Sequence, residues 1–352
     1  MTGRGTALVA GFSGVAGSAL ARHLAAIGYE VIGIARKPPS YLSPDVRFRS
    51  ADLVEPVSLR AAGQHLGAVT HVFYTAFANA PGWVAQVAPN AAMLRNLLDC
   101  VEDAASGLRH VSLLQGTKYY GAHLGPFRTP IREDDARHFP PSFYYDQQDL
   151  LAGRQAGKTW SCSFIRPHTI CGYAVGTPLN LIMVLGVYAT LGRELGLPLR
   201  WPGKPAAFWT VYQTTDADLL ARAMTWAATE KRCANEAFNI TNGDFIRFEH
   251  LWPRLAQHFG METAAPQQID LPQFMADKSE TWAAIQRKHG LEPVPFTALV
   301  DWNYAQYAFS CAWDIMSSTL KARQFGFQDC LDTYDMFIRN LRVLSDRRLI
   351  PA

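Results

Sequence analysis

The six cysteines, Cys100, Cys162, Cys171, Cys233, Cys311 and Cys330, form no CxxC pair and have no histidine partners at zinc-ligand spacing. This leaves no metal site to propose, and the residues read as reduced, mostly buried thiols of a cytoplasmic protein. Charge is also sparse: 18% of the 352 residues are charged, with a formal net charge of +3 spread along the chain rather than blocked. Nothing here favours nucleic acid or an anionic membrane as partner. Long apolar runs are missing as well, since the longest, Leu179 to Leu191, is interrupted by Asn180 and too short to span a bilayer. The first 25 residues imitate a secretory signal, but Gly11, Gly14 and Gly17 recur where a signal carries leucine. Internal repeats and low-complexity segments are absent.

With 49% hydrophobic residues the chain can bury a large core. Thr6 to Ala10 reads as a strand, a glycine turn follows, and Ala19, Leu20, Leu24 and Ile27 recur at helical spacing before Gly28. Strands are expected at Tyr29 to Ala35, Val46 to Ser50, Val69 to Ala76, His110 to Gln115, Ser161 to Arg166 and Ala237 to Thr241. Helices are expected at Asn90 to Val101 and Asp216 to Ala228. Such alternation predicts an α/β fold, a Rossmann-type doubly wound parallel sheet with a smaller, mostly helical C-terminal substrate lobe. The expected division is 1–175 for the dinucleotide-binding domain, 176–205 for an excursion to the substrate lobe, 206–244 for the return and 245–352 for the lobe itself.

Gly11, Ser13, Gly14, Val15 and Gly17 lie between the first strand and helix, where glycines admit a pyrophosphate to helix N–H groups. At the end of the second strand, an acidic residue would hydrogen-bond a ribose 2′-OH. Arg36 and Lys37 stand there instead, two cations suited to a 2′-phosphate, so NADP(H) is favoured over NAD. Asp52 and Leu53 can meet the adenine, and Thr75, Ala76, Gln115 and Ile170 complete the candidate cofactor shell.

One missing residue bears on chemistry. Reductases of this general build use a Tyr and a Lys one helical turn apart to polarise a carbonyl, but four positions after Tyr144 this chain carries Gln148. Either the site is inactive or the lysine comes from elsewhere. Gly11-x-x-Gly14-x-x-Gly17, Asp52-Leu53, Arg166-Pro167 and Lys321 to Phe327 resemble the extended short-chain dehydrogenase/reductases. Leu114 to Tyr120 (LQGTKYY), Gly125-Pro126-Phe127 and Ser142-Phe143-Tyr144-Tyr145-Asp146 resemble, more narrowly, the progesterone 5β-reductase and iridoid synthase family.

That resemblance covers essentially the whole chain and implies that Lys118 and Tyr144 are catalytic. It implies NADPH-dependent reduction of the C=C bond of a small hydrophobic α,β-unsaturated carbonyl compound, steroid-like, monoterpenoid-like or a small cyclic enone. Phe77, Tyr119, Phe127, Leu179 and Tyr304 match its substrate pocket. Tyr120 or Tyr145 stays open as the working phenol, and His123 is either a proton donor or a surface histidine. Departures from the family pattern, namely the segment Gly121 to Leu124, Phe77 where tryptophan is common and a shorter stretch between Phe127 and Phe143, surround the substrate. Two alternatives stand beside this reading: a carbonyl reductase or alcohol dehydrogenase, and a catalytically silent NADP(H)-binding sensor. Monomer and homodimer are both open.

Overall fold

The computed structural model describes residues 4–39 and 43–352. Seven strands form one parallel sheet: β1 (Thr6–Ala10), β2 (Glu30–Ala35), β3 (Val46–Ser50), β4 (Val69–Tyr74), β5 (His110–Leu114), β6 (Ser161–Pro167) and β7 (Glu236–Ile240). Their spatial order is β7-β6-β5-β4-β1-β2-β3, so the chain runs outward from β1 and then restarts on its other side at β4. Period-two alternation sends side chains to opposite faces. Leu8, Ala10, Val72 and Tyr74 enter one core, whereas Ala7, Val9, Val31 and Phe73 enter the other. Helices α2 (Trp83–Ala104) and α3 (Phe143–Gln155) contribute to the first core. Helices α1 (Val15–Ala26) and α5 (Ala217–Thr229) contribute to the second. Burial on both faces is why the strands read as nearly continuous apolar runs.

Helix α2 starts at Trp83, before the expected Asn90, and contains Pro89. A proline inside a helix masks the first turn in a sequence reading. Asn90 is fully buried and pins the preceding loop, accepting from Ala78 N at 2.9 Å and donating to the Ala78 and Gln86 carbonyls at 2.8 Å.

A third core lies beyond the sheet and is built from α4 (Leu181–Glu194), α6 (Phe248–Phe259), α7 (Trp302–Ala308) and α8 (Thr333–Asp346). The apolar run of the sequence is α4, and Asn180, which interrupts that run, is its buried N-cap. The Asn180 side chain accepts from Ile182 N at 3.0 Å and donates to Gly172 O at 2.9 Å. Capping by Asn satisfies a helix donor that burial would otherwise strand. Trp201 anchors this core, its ring 4.7 Å from Phe248, 5.1 Å from Trp252 and 4.8 Å from Phe309. Among the described residues no helix is long and apolar enough to cross a membrane. All six cysteines are unpaired and four are buried.

Two histidines on adjacent strands sit buried in the sheet. His110 meets the hydroxyls of Ser161 and Ser163 at 2.8 and 2.9 Å, and His71 meets that of Thr70 at 2.8 Å. Burial, the largest cause in both, lowers their pKa values from 6.5 to about 3 for His110 and about 4 for His71. Folding thus disfavours their protonation. The stability they contribute is fully present above pH 6.5 and is lost as pH falls toward the folded values. The unfolding temperature is therefore expected to drop on acidification through this window, and His110→Gln is expected to flatten the drop. Thermal melts of both proteins against pH check this, and a variant with the same acid sensitivity as wild type contradicts it.

Candidate active site

At the reversal of strand order the carboxyl ends of β1 and β4 part, and the glycine turn fills the crevice. A Cβ on Gly11, whose φ is +79°, would stand 2.7 Å from the backbone of Ala76. One on Gly17 would stand 2.3 Å from Gly11 O, so both glycines serve close packing of the turn. Gly14 differs: its nearest obstacle is Gly11 O at 3.4 Å, and no side chain caps the α1 N-terminus that it begins. An open backbone at an uncapped helix start suits a pyrophosphate. Thr75 is fixed by its hydroxyl on Ala10 O at 2.8 Å. Gly11, Ser13, Gly14, Val15, Gly17, Arg36, Asp52, Leu53, Thr75, Ala76, Gln115 and Ile170 all border one cavity of about 760 Å³. Lys37 is exposed and does not border it, so Arg36 alone of the two cations faces the groove.

The groove runs on to the start of α3. Tyr144 lies in its first turn, and a Cβ on Gly116 would stand 3.2 Å from the Tyr144 hydroxyl, so glycine lets the phenol approach the β5 turn. Of the neighbouring phenols, Tyr145 donates to Tyr119 O at 2.6 Å and Tyr120 donates to Asn239 Oδ1 at 2.8 Å. The Tyr144 hydroxyl makes no hydrogen bond with a described residue and borders the cavity. Burial raises its pKa, which keeps it a proton-bearing donor at neutral pH.

Below Tyr144 lies Arg166, at the end of β6 and buried to 1% exposure. Its guanidinium donates to Gln115 Oε1 at 3.0 Å, to the Tyr120 hydroxyl at 2.8 Å, to Glu133 O at 3.3 Å and to Gln148 Oε1 at 3.0 Å. Gln115 in turn donates to Tyr144 O at 3.0 Å. The Tyr119 ring lies 3.6 Å from the Arg166 guanidinium carbon.

Lys118 sits in the short helix Thr117–Tyr120 that follows β5. Its Nζ lies 4.7 Å from the Trp83 ring centroid and 5.0 Å from that of Tyr307, and among the described residues no carboxylate pairs with it. Burial lowers its pKa, with the Cys311 thiol opposing. Next to it Thr117 hydrogen-bonds His168 Nδ1 at 2.5 Å, while His168 Nε2 is buried without a partner. Burial first, then the Lys118 charge, lowers the His168 pKa to about 3, so the ring is neutral at physiological pH. Tyr304 and Tyr307 stand three residues apart on α7 and both border the cavity, as do His168 and Thr177, whose hydroxyl is also buried and unpaired. Tyr307 shares a hydrogen bond with Cys311.

Lys118, Tyr144, Phe77, Leu179 and Tyr304 thus come together as expected. Tyr119 and Phe127 do not border the cavity: Tyr119 is spent on Arg166 and on an Arg137 Nε contact at 3.2 Å, and both rings join a separate small cluster. His123 stacks on Trp83 at 4.0 Å and is held neutral by burial, its pKa lowered to about 4, so it is not a ready acid at pH 7. Trp83, His168 and Tyr307 were not anticipated. Only Tyr307 carried a signal, its helical spacing from Tyr304.

Dinucleotides bind where strand order reverses in a doubly wound sheet, so fold and groove define a dinucleotide-binding Rossmann enzyme. A family model described as a PRISE-like Rossmann-fold domain matches residues 50–336. The chain is 31% identical to the short chain dehydrogenase gsfE of Penicillium aethiopicum, over 98% of this chain and 99% of that one. It is also 31% identical to an (S)-8-oxocitronellyl enol synthase of Antirrhinum majus, over 99% and 94% respectively. Among solved structures, the Thermus thermophilus UDP-glucose 4-epimerase complex with NAD superposes with a TM-score of 0.68 at 16% identity, covering 99% of this chain and all of that one; this likeness concerns fold alone. The chain belongs to the PRISE-like Rossmann-fold family, the progesterone 5β-reductase and iridoid synthase group that its motifs resemble. It is an enzyme of the short-chain dehydrogenase/reductase superfamily with a nicotinamide cofactor.

Gly14→Ala separates fold from ligand. The added methyl meets only Gly11 O at 3.4 Å within the protein, so the unfolding temperature is expected to stay within about 2 °C of wild type. Dinucleotide affinity, measured by calorimetry, is expected to fall about tenfold or more, equivalent to roughly 1.4 kcal/mol. Undiminished affinity would place the pyrophosphate elsewhere.

Proposed function

We propose that the protein is an NADPH-dependent reductase of activated C=C bonds, acting on hydrophobic enones or enals. The observation that carries this reading is the Tyr144 hydroxyl, which alone of the three neighbouring phenols has no acceptor among the described residues and opens, with Lys118, on the cavity that continues the dinucleotide groove. When bound, NADPH supplies hydride to the β-carbon of the substrate. Negative charge then gathers on the conjugated carbonyl oxygen, and Tyr144 donates its hydrogen bond there. A donor aimed at developing charge in a dry site is worth roughly 3–4 kcal/mol, or two to three orders in rate. The Lys118 ammonium, with no carboxylate to neutralise it, adds favourable charge and orients the cofactor ribose. Phe77, Leu179 and the α7 aromatics keep water from the reacting carbons. Water delivers the proton to the α-carbon, since His168 and His123 are held neutral. The relatives named as enol synthases support this scheme, because an enolate that takes up a proton on oxygen is an enol.

Selection of NADPH rests on Arg36, whose carbonyl is held by the Ser50 hydroxyl at 3.0 Å, at a strand end with no acid to receive a ribose 2′-OH. Charge-assisted hydrogen bonds contribute about 1.5–3 kcal/mol. Arg36→Ala is therefore expected to raise KM for NADPH by roughly tenfold or more while leaving KM for NADH nearly unchanged. Equal effects on both cofactors would remove the 2′-phosphate from Arg36.

Product analysis with a cyclic enone tests the reaction itself. A saturated ketone is expected, whereas an allylic alcohol would assign carbonyl reduction. Tyr144→Phe and Lys118→Met are each expected to lower kcat by about two orders while the fold remains intact by circular dichroism. Wild-type turnover in both variants would dissociate these residues from the chemistry.

A further inference from the structure

We infer that Arg166 is the positioning residue for Tyr144 and that its charge excludes a lysine from the position of Gln148. The inference rests on the reading of Tyr144 as the donor to the substrate. Arg166 is buried and, among the described residues, forms no ion pair. Every acceptor it uses is neutral: two side-chain amides, a phenol and a backbone carbonyl. Glu133, the acidic residue that contributes, spends a carboxylate oxygen on Asn239 N at 2.8 Å and offers Arg166 only its carbonyl.

Two of these acceptors lead to the first turns of α3. Gln148 lies one helical turn beyond Tyr144, and its Oε1 is drawn down to Arg166 at 3.0 Å. Gln115 accepts from Arg166 with its oxygen and so must present its NH₂ to the Tyr144 carbonyl, at 3.0 Å. One guanidinium therefore sets the orientation of both amides and tethers the helix start at two points. The phenol is left close over Gly116.

An ammonium at position 148 would replace an acceptor by a like charge facing this guanidinium. A lysine partner for Tyr144 must then arrive from another element, and Lys118 does so, resting on the Trp83 and Tyr307 rings rather than in the Arg166 shell. The relocated lysine and the buried arginine are two sides of one electrostatic constraint.

The test compares Gln148→Lys, Gln148→Met and Gln148→Glu in the full chain, with unfolding temperature and the kinetics of NADPH oxidation with 2-cyclohexen-1-one as readouts. Expected unfolding temperatures fall in the order Glu, Met, Lys, since the carboxylate adds an acceptor with opposite charge, Met only removes the acceptor, and Lys adds repulsion. Gln148→Lys should also lower kcat by at least about tenfold with KM for NADPH within about twofold, the signature of a displaced phenol over an intact cofactor site. Adding Arg166→Met to Gln148→Lys should recover part of that kcat. Lys and Glu variants that melt alike, or a kcat loss that Arg166→Met leaves unrelieved, would overturn the inference. The melting order needs no turnover. A wild-type protein that is inactive with enones but shows this order would defeat the reductase reading and leave the Arg166 linkage standing.

Discussion

Burying one guanidinium without a counter-ion is the constraint from which the active-site edge follows. Removing an ion from water costs several kcal/mol unless hydrogen bonds replace its shell. Arg166 meets that demand with four neutral acceptors and the face of Tyr119. The groups so recruited come from the β5 turn, from the loop before α3 and from α3 itself, so the charge ties together segments that share little apolar contact. A second cation about 4 Å away would be repelled by roughly 4 kcal/mol at an effective dielectric constant of 20. That is a large share of the stability of a folded domain.

The carboxyl edge of the sheet also separates tasks by chemistry. Between β1 and β4 the side chains shrink to glycine, and backbone approach decides what fits. Beyond β5 and β6 they are aromatic, cationic or hydroxylic, and burial shifts their proton affinities in opposite directions: the Tyr144 phenol up, Lys118 and His168 down. The phenol therefore holds its proton more tightly and the ammonium more loosely than in water. A low-dielectric wall does both at once.

The sheet was legible because parallel strands buried on both faces must be apolar and end at turns, and β1, β3 and β5 fall where those signals lie. The first turn of α2 was hidden by Pro89. In the site, the glycine turn and Arg36 were readable from residue chemistry alone, whereas Lys118 and Tyr144 were readable only through the family motif, since a lysine and a tyrosine in loops carry no periodicity. Tyr119 and Phe127 were expected beside the substrate on bulk and motif position. Bulk does not encode which cavity a ring fills, and Tyr119 serves a buried cation that no local pattern announces. His168 escaped notice because its unpaired nitrogen is a property of three-dimensional neighbours.

The cavity presents more hydrogen-bonding groups than its walls satisfy: His168 Nε2 and Thr177 Oγ1 have no partner, and the hydroxyls of Tyr144 and Tyr304 have none among the described residues. A guest that fills this space with hydrocarbon leaves each such group dry, at about 1–3 kcal/mol apiece. Discrimination then works largely by omission. A molecule of suitable shape but with too few oxygens is refused by what it fails to offer, even though no wall clashes with it.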